Sequence, residues 1–309
     1  GLFFGLGEQI SYMQRVAGQI GESHALEKKS HSWMWCSNLA GYSVAISASG
    51  VIYDTSWGFQ GVSLMGGVAQ IGATMSTAVF ILLSATGRNK ATLKRAAEAR
   101  ETSAAIATLQ TFPSKMMYAG TMLSIFNAAF ALSAILSGCF VRWQREFGIA
   151  PALSGIYLCI PDITCFAITF IPCTVGLSKI WLLKNPLDMT WTNASIAVGM
   201  GLYSVNVGPA SLLGGLLVVL GFDLGISAAN KTLFAYVPSN LVAKHIVYGS
   251  GISKLGQMMG CACTLLLSSE PTTAAAYLWA ATALATLTCL AVAMFTLKRV
   301  HSLAAKLPR

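Results

Sequence analysis

Charged residues are scarce. The 309-residue chain carries 20 Lys and Arg and 11 Asp and Glu, only 10% of the total, against about 25% in a typical soluble protein. So few charges cannot cover a water-facing surface, which excludes an ordinary soluble domain and a disordered chain. The net charge is +9, but the basic residues sit in short clusters between apolar runs. They build no continuous basic face, so no nucleic-acid partner is expected. The eight cysteines form no CxxC pair and have no histidine at ligand spacing, so neither a metal site nor a disulfide framework is expected. A cysteine inside an apolar run acts as a small hydrophobe. Cofactor motifs are also missing. The stretch Gly1–Gly7 follows no strand and lacks the Gly-Lys-Ser/Thr end of a phosphate loop. No nucleophile–base pair stands at a useful spacing, so the chain is not expected to be an enzyme or to hold a cofactor. Nothing at its start reads as a signal peptide.

Hydrophobic residues make up 55% of the chain, and the mean hydropathy is +0.64. A bilayer core is crossed by about 20 helical residues. Nine stretches meet that length: 2–21, 33–53, 62–85, 115–140, 149–172, 187–206, 210–236, 246–267 and 273–297. The predicted fold class is an all-α polytopic membrane protein with the lipid bilayer as its first partner. Charge alternates between successive loops. Lys28, Lys29, the cluster from Arg88 to Arg100, Lys179, Lys184, Lys244, Lys298 and Arg299 fall on one side. Arg142, Arg145, Asp54, Glu146 and Glu270 fall on the other. The positive-inside rule puts the first set in the cytoplasm or its equivalent. The C-terminus shares that side, and nine spans put the N-terminus opposite. Three parts are expected: a partial helical bundle over 1–86, a basic, partly helical connector over 87–114 on the cytoplasmic side, and a six-helix bundle over 115–309.

Internal similarity supports a transporter-like plan. Sliding the chain so that Gly5 falls on Gly221 also brings Arg15 onto Lys231, Ser23 onto Ser239, Lys28 onto Lys244 and Leu39 onto Leu255. The span pair over 2–53 thus resembles the pair over 210–267. Were the first bundle to match the second, three further spans would precede Gly1, making these the last nine helices of twelve.

With that plan, the segments FFGLGEQIS, GESHALEKKSHSWMW and GYSVAISASGVIYDTSWGFQG resemble the fourth and fifth helices and loops of the major facilitator superfamily. The turn from Tyr53 to Gly61 resembles that family's short outer loop. GLSKIWLLKNP, from Gly176 to Pro186, looks like its signature loop between the eighth and ninth helices, with Leu183 where that loop carries its second glycine. GFDLGISAANKTLFAYVPSNLVAKHIVYGSG is similar to the tenth-to-eleventh helix region of the drug–proton antiporter and vesicular amine transporter group. The intramembrane Asp of that group does not align with Asp223, which lies earlier. The resemblance implies two six-helix bundles around a central cavity, lined here by the spans matching the fourth, eighth, tenth and eleventh helices.

A charge inside a span costs about 2.5–3.5 kcal/mol on insertion scales and faces a cavity or a partner. Six such residues stand out: Glu8, Arg15, Asp162, Asp223, Lys231 and Lys254. Asp162 and Asp223 lie at mid-span, with Arg15 at similar depth in the other bundle, so a cation is expected to face two carboxylates across the cavity. Arg15, Asp162, Asp223, Lys254, Asn38 and Asn127 are the candidates for a substrate or proton pathway. The alternatives are a buried ion pair for the charges and an interhelical hydrogen bond for the asparagines. Glu8 and Lys231 suit gating or structural ion pairs, with snorkelling to the interface as the simpler role for Lys231. Small residues at Gly221-x-x-x-Gly225 and Gly256-x-x-x-Gly260 predict close helix contact. The expected function is a secondary active transporter that moves a small charged or amphiphilic solute by alternating access, with protons as the candidate coupling ion. The alternative is a transporter-derived structural subunit of a larger membrane complex, whose partners would be other membrane subunits.

Overall fold

The computed structural model describes residues 39–41, 43–86, 115–175, 187–236, 239–266, 273, 275–288 and 291. Among them the protein is all-helical, with no strand. The helices are α1 (39–53), α2 (Gly58–Thr86), α3 (Lys115–Phe147), α4 (Pro151–Val175), α5 (Leu187–Ser204), α6 (Gly208–Tyr236), α7 (Ser239–Leu266) and α8 (Ala275–Thr288). The expected span 2–21 and the connector 87–114 lie outside the described residues, as does the first helix of the internal repeat.

Among the described residues, two helices, over Tyr118–Phe147 and Gly208–Ala229, are long and apolar enough to cross a membrane. Two boundaries differ from those expected by seven residues each. The span drawn to residue 140 continues as helix to Phe147, because Arg142 and Glu146 stand one turn apart and pair along the helix. The span drawn from 246 begins seven residues earlier, at Ser239. Helix does not stop where the apolar run stops, since the backbone hydrogen bonds do not depend on side-chain polarity.

The α3–α4 turn is built from two residues. Gly148 adopts a left-handed φ of 66°. Its N–H donates to Gln144 O at 3.2 Å, the single bond of an αL stop, and Ile149 N–H donates to Trp143 O at 3.0 Å. Pro151 then opens α4, where its missing N–H costs nothing.

α3 is the central element. It packs most extensively against α7, and α5 packs likewise against α6, which also lies against α3 and α4. The core gathers Ala128, Ala131, Ile135, Cys139 and Trp143 of α3 with Leu158 of α4, Ile196 and Met200 of α5 and Val218 and Phe222 of α6. Both predicted glycine pairs make close contacts. A Cβ on Gly256 would stand 2.6 Å from Phe126 O on α3, and one on Gly221 would stand 3.0 Å from Thr192 O on α5.

Polar side chains are buried beside the apolar core, and large apolar ones are exposed along two helices. Thr121, Ser124, Asn127, Arg142, Asp162, Thr192, Asn193, Ser211 and Asp223 are buried. Leu64, Val68, Ile71, Met75 and Val79 along α2, and Leu255, Met258, Leu265 and Leu266 along α7, are exposed.

Candidate functional site

Asp162 and Asp223 come together inside the helical bundle. Asp162 lies in the middle of α4, directly after Pro161, and Asp223 lies in the middle of α6. Both are buried, at 2% and 1% exposure. Their carboxyl groups are within hydrogen-bonding reach of each other, and the Cys165 thiol, one turn along α4, is within reach of Asp223. One oxygen of each carboxyl, Oδ2, is buried with no hydrogen-bond partner. The local cause is helical spacing. Asp162 and Cys165 stand three residues apart and share a face, and Phe222, the residue before Asp223, packs into the core and fixes the rotation of α6.

The carboxyl groups face each other, and Arg15, expected opposite them, lies outside the described residues together with Glu8 and Asn38. Lys231 falls within α6, beyond the residues whose side chains are described. Lys254 is half-buried on α7, its Nζ 3.4 Å from Gln257 Oε1. Hydrogen-bond chemistry constrains the pair. A carboxylate only accepts, so a bond between two carboxyl groups requires one of them to carry a proton. Among the described residues no group of His, Cys, Asp and Glu is placed to hold a metal ion.

Asn127 belongs to a second buried cluster. Its Nδ2–H donates to Asn193 Oδ1 at 2.7 Å. Asn193 Nδ2 donates in turn to Ser124 Oγ and to Met189 O, and Thr286 Oγ1–H donates to Asn193 O at 3.0 Å. These bonds tie α3, α5 and α8 together. Asn127 thus makes the interhelical bond that was its alternative reading.

Arg142, assigned to a loop by its sequence context, is buried at the end of α3. Its Nε–H donates to Glu146 Oε2 at 2.8 Å, and its Nη1 donates to Tyr203 O at the C-terminal end of α5. The guanidinium stacks 4.7 Å from the centre of the Tyr203 ring. Next to it, Trp143 Nε1–H donates to Ser211 Oγ at 2.9 Å. The Arg142–Glu146 spacing was the available signal, an ion pair one helical turn apart. At the other end of α3, Tyr118 Oη and His245 Nδ1 are 2.9 Å apart, a contact between distant segments that no local pattern announces.

Compared with family models, curated proteins and solved structures, the chain shows no match.

Proposed function

We propose that the chain is a multi-pass membrane transporter of the major-facilitator type and that the Asp162–Asp223 pair is its proton-binding site. The observation that carries this reading is the pair itself: two carboxyl groups, one on α4 and one on α6, buried within reach of each other inside the helical bundle. A protein pays for such a pair in folding free energy, and intramembrane carboxyls recur in proton relays and substrate pathways. A carboxyl pair takes up and releases a proton as one unit, so it can exchange that proton against a small charged or amphiphilic solute. The apolar exteriors of α2 and α7 fit a lipid surround, since a water-soluble monomer rarely exposes apolar patches of such extent.

The test is proton movement in proteoliposomes loaded with a pH-sensitive dye. Organic cations, carboxylates and amphiphiles are added in turn under an imposed pH gradient. At least one class should drive proton flux in the wild-type protein. Asp223→Asn and Asp162→Asn should each abolish that flux at an unchanged yield of folded protein. Normal flux in Asp223→Asn would make the pair a structural feature. A wild-type chain that moves nothing and copurifies at fixed stoichiometry with a larger membrane complex would establish the subunit alternative.

A further inference from the structure

The turn between α1 and α2 closes on its own hydrogen bonds. Thr55 Oγ1–H donates to Ile52 O at 2.6 Å, and Trp57 N–H donates to Thr55 Oγ1 at 3.3 Å. Gly58 N–H donates to Thr55 O and Gly61 N–H to Trp57 O, both at 3.0 Å. A Cβ on Gly61 would stand 2.7 Å from Ile52 Cγ2 and 2.8 Å from Trp57 Cβ, so the bare glycine lets both side chains close over the first turn of α2. Beyond them a groove of about 520 Å³ runs along α2, lined by Ile52, Trp57, Leu64, Met65, Val68 and Ala69. Thr55 supplies its one hydroxyl, already donated to Ile52 O. Below the turn the walls offer a ligand apolar contact alone.

Depth and charge narrow the occupant. From Gly61 to Ala69 the groove follows α2 for about 12 Å at the helical rise, with Trp57 one turn above. That is close to one leaflet, half of a hydrocarbon core of about 30 Å. Trp57 is 63% exposed at the rim, and an indole suits headgroup level. Over 53–61, YDTSWGFQG, Asp54 is the single charged residue, and it is exposed. A carboxylate attracts an ammonium and repels an anion, and an indole face binds a quaternary ammonium. Walls that are apolar over one leaflet, under a rim that favours cations, fit one kind of amphiphile. We propose that the groove holds one acyl chain of a zwitterionic phospholipid from the leaflet opposite the basic loops, with the headgroup ammonium against Asp54 and Trp57. Because the turn is already tied by its own hydrogen bonds, little ordering is needed on binding. The site lies on α1 and α2, apart from the carboxyl pair on α4 and α6. It requires that the chain sit in a bilayer, not that it transport a solute.

The test is native mass spectrometry of the full chain in detergent, mixed in turn with dioleoyl phosphatidylcholine, phosphatidylethanolamine and phosphatidylglycerol. The fraction of chains that keep one bound lipid is read for each. The wild-type chain should retain the first two about fivefold better than phosphatidylglycerol, the upper scale of an exposed ion pair. Asp54→Asn should remove that preference and leave phosphatidylglycerol retention unchanged, which a variant that fails to fold would not do. Ala69→Phe fills the inner end of the groove. It should lower retention of all three lipids about tenfold, the worth of roughly two methylenes displaced from an apolar site. Equal retention of the three lipids by the wild-type chain overturns the proposal, as does a wild-type preference in Asp54→Asn. Unchanged retention in Ala69→Phe overturns it too. A dimer mass without bound lipid would assign the groove to a second copy of the chain and overturn it as well.

Discussion

Arg142 shows how a single buried cation can tie two helices, although its Nη2 has no hydrogen-bond partner. Its partners are a carboxylate on its own helix, a carbonyl at the end of α5 and the face of the Tyr203 ring. The carbonyl lies at the negative end of the α5 dipole, where a cation is favourable. Arg142→Ala leaves Glu146 without its donor and Tyr203 O with only the Ser211 hydroxyl, at 3.3 Å. The expected loss of stability is about 3 kcal/mol, the lower end of what breaking a buried pair costs, read as a shift in an SDS or thermal unfolding midpoint. Arg142→Lys keeps the charge but loses the planar fork and the stacking, so most of the loss should remain. Asn127→Leu tests a neutral contact: removing its bond to Asn193 should cost about 0.6–2 kcal/mol, the range for interhelical hydrogen bonds in membranes. At this scale the sequence was half legible. The mid-span positions of Asp162 and Asp223 marked both carboxyls, because charge in an apolar run is conspicuous. That they face each other depends on how α4 and α6 are rotated, which no local pattern encodes. Asn193 and Tyr118 were illegible for the same reason, since their partners lie far away in the chain.

At the scale of helices, packing follows the small residues. Gly256 and Gly260 bring α7 flush against α3, and the backbone of α3 at Phe126 and Phe130 fills the space a side chain would need. Gly256→Val should therefore push the two helices apart. Overpacking of this kind typically costs about 1–3 kcal/mol, and the variant should show a lower unfolding midpoint. Gly251→Ala is the control, because a Cβ there meets nothing within 4 Å, and its midpoint should stay within about 0.5 kcal/mol of wild type. The apolar runs placed the helices of the described residues, because length and hydrophobicity are local properties. The ends of α3 and α7 were misplaced because polar residues can extend a helix past its apolar part.

For the whole molecule, the loop charges predict one orientation. A tag at the C-terminus and one inserted near Arg95 should be accessible from the same side of sealed vesicles, and a tag between Asp54 and Trp57 from the other. Protease protection reads this directly, and a tag at Asp54 sharing the side of the C-terminus would refute the arrangement. The length of α3 has a further consequence. From Tyr118 to Val141 its apolar part holds about 24 residues, roughly 36 Å at the α-helical rise, against about 30 Å for an average hydrocarbon core. Placed in a bilayer, the helix must lean or the lipid must thicken around it, and each ångström of mismatch costs a fraction of a kcal/mol. Because α3 is packed against α7, α6 and α5, it cannot lean alone; the helices around it share its tilt. Acyl-chain length therefore becomes a control on the protein, with longer-chain phospholipids favouring the upright bundle and shorter ones the inclined one.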